Sequence, residues 1–66
     1  MNVEDIKKTL AEIKRVSGDP EYAHGLEDEL HVAVLTAIAN GTCDDPVACA
    51  AEALKTEDID FVRWYA

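Results

Sequence analysis

Residues 19–41 read DPEYAHGLEDELHVAVLTAIANG, and the punctuation of this stretch sets the fold. Asp19 is of the type that caps a helix, and Pro20 suits the first helical position, where its missing N–H would be unpaired anyway. Asn40-Gly41 is a stop. Between them the spacing predicts one helix from Pro20 to about Ala39. Tyr22, Leu26, Leu30, Ala33, Ala37 and Ile38 fall on or near one face of it. The other side of its first half is polar, with His24, Glu27, Asp28 and His31, and Gly25 weakens that half. Its second half, HVAVLTAIA, is apolar nearly all round. The segment from Val34 to Ile38 is therefore expected to be enclosed by neighbouring helices.

Upstream, Val3, Ile6, Leu10, Ile13 and Val16 recur at three- and four-residue steps, which predicts a helix over 3–17. Asn2 is its N-cap, answered by Asp5 three positions on. Glu4 and Asp5 lie at the positive end of the helix dipole, Lys14 and Arg15 at the negative end. Gly18 is expected to close the helix in the left-handed conformation. Downstream, Thr42–Asp45 is a loop, and Asp45-Pro46 repeats the cap-and-proline start. It opens a third helix from Pro46 to about Lys55, whose inward face is expected to be Val47, Ala50, Ala51 and Leu54. Thr56 is the next cap, and Glu57 to about Tyr65 reads as a fourth helix with Ile59, Phe61, Val62, Trp64 and Tyr65. No alternating run flanked by hairpin turns appears. The expected fold class is all-α, a compact bundle of three to four short helices in a single domain over 1–66.

The 66 residues are 48% apolar, as in a globular domain rather than a disordered tail. A core this small needs help from a partner, a metal, a disulfide or self-association, and it leaves no room for a deep substrate cleft. Fourteen acids oppose six bases, for a net charge of −8. The charge is uneven: residues 1–17 hold four cations and three carboxylates, a balance of +1, while 18–66 hold two cations and eleven carboxylates, a balance of −9. Such a field repels nucleic acid and anionic lipid and attracts basic protein surfaces. With so few cations, direct nucleic-acid binding is not expected. An apolar run of ~18 residues is lacking, so no membrane span is expected. The charged start MNVEDIKKTL has no apolar signal core, so the expected compartment is the cytoplasm.

Three constellations are candidates for chemistry. His24, Asp28 and His31 share one side of the second helix, with Glu27 at its edge. Each His–Asp spacing can chelate a metal, but the two histidines lie about 10 Å apart along the helix and cannot share one ion without a bend. A carboxylate-x-x-His pair is also half of a ferritin-like di-iron site, whose other half a dimer would have to supply. His24, Glu27, Asp28 and His31 are thus the metal candidates, against the commoner meaning of a solvated polar face. Cys43 and Cys49 form a C-x5-C pair that fits neither a redox nor a zinc motif. Reduced thiols are expected, and a disulfide requires the loop to fold back over the first turn of the third helix. Finally, Phe61, Arg63, Trp64 and Tyr65 are of the types enriched at binding hot spots, and they are the candidate partner-binding residues. They are also large side chains that so small a core needs. Arg63 is expected to pair with Asp60 or to lie over an aromatic ring. No phosphate loop, nucleophile turn or acid/base pair in a cleft is present, so no catalytic residue and no cofactor are expected.

The strings GDPEYAHGLEDELHVAVLTAIANG (18–41) and AAEALKTEDIDFVRWYA (50–66) resemble short, mostly uncharacterised proteins encoded by actinobacteria and their phages. The shared pattern is GDPE-x-AH-x-LED-x-L, then VL-x-AIA-x-G, then AL-x-T-x-x-IDF-x-RW. It covers about residues 18–66 and leaves the first helix outside. The resemblance implies an intracellular, phage-borne accessory protein and supplies no catalytic residue. The expectation is a small acidic module that docks on a partner protein and forms a homodimer. The runners-up are a metal-binding helical protein and an acidic mimic of nucleic acid.

Overall fold

The computed structural model describes residues 1–63. Three α-helices follow one another: α1 (Val3–Arg15), α2 (Pro20–Ala39) and α3 (Pro46–Ala53). A 3₁₀ turn, Leu54–Asp58, continues α3. No strand occurs among the described residues, so the all-α bundle is as the sequence predicts. α2 has 20 residues, about 30 Å at the usual rise, and accounts for most of the 33 Å long axis of the molecule. α1, α3 and the C-terminal segment lie against it.

The helix starts follow the sequence closely. Asn2 Oδ1 accepts the Asp5 N–H at 3.0 Å while Asp5 Oδ2 accepts the Asn2 N–H at 3.1 Å, a complete capping box built with the shorter carboxylate. Asp19 accepts the Tyr22 N–H at 3.3 Å, and Asp45 accepts the Ala48 N–H at 3.1 Å. Each of these two caps precedes a proline. The first stop differs from expectation. α1 ends at Arg15, capped by Val16, and Gly18 does not take a positive φ. The left-handed residue is Gly41, at φ 76°, just past the end of α2.

The core consists of Ile6, Leu10 and Ile13 from α1, Ala23, Leu30 and Val34 from α2, Cys49 and Ala53 from α3, and Ile59 and Phe61 beyond the 3₁₀ turn. On α2 the buried line is Ala23, Glu27, Leu30, Val34 and Ala37, alternating steps of four and three. It is rotated from the predicted face: Tyr22 and Ala33 are exposed. The methyl of Ala23 is wholly buried where a larger residue would hold the helices apart. The second half of α2 is not enclosed, because Val34 and Ala37 are buried but Leu35 and Val32 face outward. On α3 the predicted inward face is reversed. Cys49 and Ala53 point to the core, while Val47, Ala51 and Leu54 are exposed.

The fourth helix does not form. Thr56 is not a cap but a fully buried residue inside the 3₁₀ turn. From Ile59 (φ −88°, ψ 120°) the chain is extended. Ile59 and Phe61 are buried while Asp60 and Val62 are exposed, an alternation of period two that β-branched and aromatic residues favour. This extended strap closes the bundle by crossing to α2.

Candidate functional site

Two surfaces hold the residues singled out by the sequence. The first is where the strap meets α2. Arg63 Nε lies 3.1 Å from Glu27 Oε1, and Arg63 Nη2 lies 3.0 Å from Glu27 Oε2, a bidentate pair. The guanidinium also reaches three backbone carbonyls. Nη2 donates to the carbonyls of Thr56 at 2.8 Å and Ile59 at 3.0 Å, and Nη1 donates to that of Phe61 at 3.3 Å. The guanidinium carbon stands 3.8 Å from the centre of the Phe61 ring. Arg63 therefore does lie over an aromatic ring, but its carboxylate partner is Glu27 and not Asp60. Burial pushes the Glu27 carboxyl up. Hydrogen bonds from Arg63 and Thr56, with the charges of Arg63 and His31, outweigh that and hold it below the ordinary carboxylate range. His31 Nε2 sits 3.2 Å from Thr56 Oγ1, so the network runs from α2 through the 3₁₀ turn to the strap and back.

This arrangement divides the four metal candidates. Glu27 is engaged by Arg63, and His31 by Thr56. His24 and Asp28 face each other at 3.7 Å, with Asp28 largely in solvent. Among the described residues no three His, Cys, Asp or Glu side chains converge to hold an ion. Of the partner-binding candidates, Phe61 is buried and Arg63 is tied inward, so both act in closing the bundle. Trp64 and Tyr65 lie outside the described residues.

The second surface is a groove between α2 and α3. His31, Val34, Leu35 and Ile38 line one wall, and Ala50, Ala53 and Leu54 line the other. It encloses about 300 Å³, and His31 is its one polar residue. Its origin is the small side chains of α3: Ala50 and Ala53 stand where larger residues would fill the space between the helices. Leu35 is 66% exposed and Leu54 59%, although both have apolar neighbours in the groove. Val47, on the outward side of α3, is exposed as well. Carboxylates bracket the apolar stretch of α3 in the chain, Asp44 and Asp45 before it and Glu57 and Asp58 after it. A larger concavity of about 380 Å³, on the α1 side of the 3₁₀ turn, is lined by Lys7, Lys14 and Lys55 with Glu52 and Asp58. Lys55 is already paired there with Glu52 at 3.0 Å.

Sequence reasoning missed both the Glu27–Arg63 pair and the groove. The signal for the pair was present: Glu27 occupies a core register on α2, and a buried carboxylate demands a cation. The region from residue 18 onward offers only Lys55 and Arg63. Against this geometry, no family model, no curated protein and no solved structure matches the chain. No helix among the described residues is long and apolar enough to cross a membrane.

Proposed function

We propose that the chain is a small acidic protein-binding module that receives an amphipathic helix of a partner protein in the groove between α2 and α3. The observation that carries this reading is the outward placement of Leu35 and Leu54 on the two walls of one apolar groove. Both leucines could be aspartate at no expense to the core, and a contiguous apolar surface of this kind marks interaction sites. Helix-in-groove recognition needs a ridge of leucine-like anchors on the ligand. The net charge of −9 carried by residues 18–66 favours lysines and arginines beside that ridge, and it disfavours a second acidic chain in the same place. The Glu27–Arg63 network then has a supporting role, since it fixes the strap and the 3₁₀ turn from which Leu54 projects. A role as a phage-borne accessory protein fits such a module, because docking alone can block or redirect a partner.

The test uses a synthetic amphipathic helix with a leucine ridge flanked by lysines, and a matched peptide with glutamates in their place. Titration is followed by the amide NMR signals of the protein. The lysine peptide is expected to shift signals of residues 31–38 and 50–54, with affinity falling as salt rises. The doubly substituted Leu35→Asp, Leu54→Asp protein is expected to keep its far-UV helicity and lose binding. Equal binding of both peptides, or binding that survives the double substitution, overturns the reading. Sedimentation of the free protein separates the remaining occupant. A concentration-dependent dimer broken by the same substitutions assigns the groove to a second copy of the chain instead.

A further inference from the structure

Asn40 and Gly41 end α2 in a conformation held from both sides. Asn40 is the C-cap, at φ −97° and ψ 5°, and Gly41 follows at φ 76°. Both are exposed. A Cβ built on Gly41 would meet no atom within 4 Å, so that side of the peptide is open. The Ile38 carbonyl accepts the Gly41 N–H at 3.3 Å. The Asn40 side chain is held from the loop: its Oδ1 accepts the Thr42 hydroxyl at 2.6 Å and the Thr42 N–H at 3.2 Å.

We propose that Asn40 is a site of intramolecular modification, where the Gly41 nitrogen converts the side-chain amide into a carboxylate at a rate set by the last turn of α2. Glycine suits this chemistry, because it puts no side chain beside the attacking nitrogen and its backbone turns freely. A base in the solvent takes the proton of the Gly41 N–H. The nitrogen attacks Asn40 Cγ, the new C–N bond closes a succinimide ring, and the Cγ–Nδ2 bond breaks. Nδ2 takes up a proton and leaves as ammonia. Water then opens the ring. Addition at Cγ gives aspartate with the main chain restored. Addition at the main-chain carbonyl of Asn40 gives isoaspartate, with the main chain rerouted through the side chain. One water is consumed, one ammonia is released, and nothing is oxidised or reduced.

The folded state opposes the first step. At ψ 5° the Gly41 nitrogen nearly eclipses the Asn40 nitrogen and so points away from the Asn40 side chain. Attack requires that nitrogen to swing round, which breaks its bond to Ile38, and requires the amide to leave Thr42. Helix ends are where such opening is easiest. The product places a carboxylate at the C-terminal end of α2, where the dipole is already negative and the last turn has no basic residue. Isoaspartate also lengthens the main chain there. Ile38 of that turn lines the groove, so the modification loosens one of the groove walls.

The chain has two asparagines and no glutamine, and Asn2 precedes Val3. The β-branched Val3 crowds its nitrogen, so Asn2 is a control within the same molecule. The native full chain is incubated at neutral pH beside a sample in denaturant. Intact mass follows the change from amide to acid, and peptide mapping locates it and separates aspartate from isoaspartate. The expected result is conversion at Asn40 and not at Asn2, slower in the native chain by on the order of tenfold, as for two modest hydrogen bonds that must open. Thr42→Ala is expected to speed the native reaction about threefold, as for one such bond, and to leave the denatured rate unchanged. Gly41→Ala, strained at φ 76° in the fold, is compared in denaturant, where folding does not enter, and is expected to lose most of the reaction. A native rate equal to or above the denatured one overturns the proposal. So does equal conversion at Asn2, or a native Thr42→Ala rate no faster than wild type. No partner peptide enters the measurement, so its outcome and that of the docking test are separate.

Discussion

Glu27 and Arg63 are 36 positions apart, and the structure joins them through two short contacts, Nε to Oε1 at 3.1 Å and Nη2 to Oε2 at 3.0 Å. Glu27 is 7% exposed and stands in the core register of α2, between Ala23 and Leu30. The pair matters less for attraction between opposite charges than for what each partner would be without the other. A buried carboxylate left alone is more expensive than the pair is favourable.

Replacing Arg63 with Ala is expected to destabilise the protein by about 2 kcal/mol, below the usual range for a fully buried pair because the Arg63 side chain keeps about a third of its exposure. For a domain this size that is a large share of the total. Glu27→Gln is expected to be milder, since the amide needs less compensation. Leu at 27 together with Met at 63 is expected to recover most of the loss. Urea unfolding of the three variants and the wild type checks this, and an Arg63→Ala midpoint unchanged from wild type would remove the network from the account of stability.

The same pair sets a dependence on acid. Glu27 has a folded-state pKa below its unfolded value. Its stabilisation is therefore fully present above the ordinary carboxylate range and is lost as pH falls through the depressed folded value. Protonation also relieves the repulsion among the many other carboxylates, which acts in the opposite direction. The informative quantity is thus the stability of wild type minus that of Glu27→Gln. This difference is expected to be constant at neutral pH and to shrink on acidification below the ordinary carboxylate range. Denaturation curves at a series of pH values test it, and a difference that grows on acidification contradicts the direction of the shift.

Val34 and Leu35 are adjacent on α2 and face opposite environments, with 3% and 66% exposure. Val34→Ala is expected to destabilise by about 1–2 kcal/mol through lost burial and a cavity. Leu35→Ala is expected to stay within about 0.5 kcal/mol of wild type. Against the lysine-flanked peptide the order reverses: Leu35→Ala weakens binding by about tenfold, as for one leucine anchor lost from a groove. Paired unfolding and titration experiments on the two variants read both effects. A Leu35→Ala protein as unstable as Val34→Ala would mean that the groove is part of the core.

The starts of α1, α2 and α3 were legible because they rest on local chemistry. Asp19-Pro20, Asp45-Pro46 and the Asn2–Asp5 box each satisfy backbone N–H groups within a few residues, and nothing distant competes with them. Faces were less legible. α3 has only eight residues and is rich in alanine, so its periodicity does not distinguish the Cys49–Ala53 side from the Val47–Leu54 side. Side-chain size there argues for the wrong answer, since the larger residues are the ones turned out. The C-terminal segment failed for a different reason. Ile59, Phe61 and Val62 fit either a helix or an extended chain, and the choice is made by the reach of Arg63 to Glu27 and to the carbonyls of Thr56, Ile59 and Phe61. A helix over that segment would commit those carbonyls elsewhere. The groove was invisible for the same cause as the face of α3, because it exists only once both helices are turned correctly.

The position of the strap also orders events during folding. While the strap is undocked, the Glu27 carboxylate inside α2 lacks the guanidinium that pairs with it. Three helices packed without the strap would trap that charge unpaired. Closing of the core is therefore expected to be coupled to the arrival of residue 63 at α2, so that helices and strap lock together rather than in sequence.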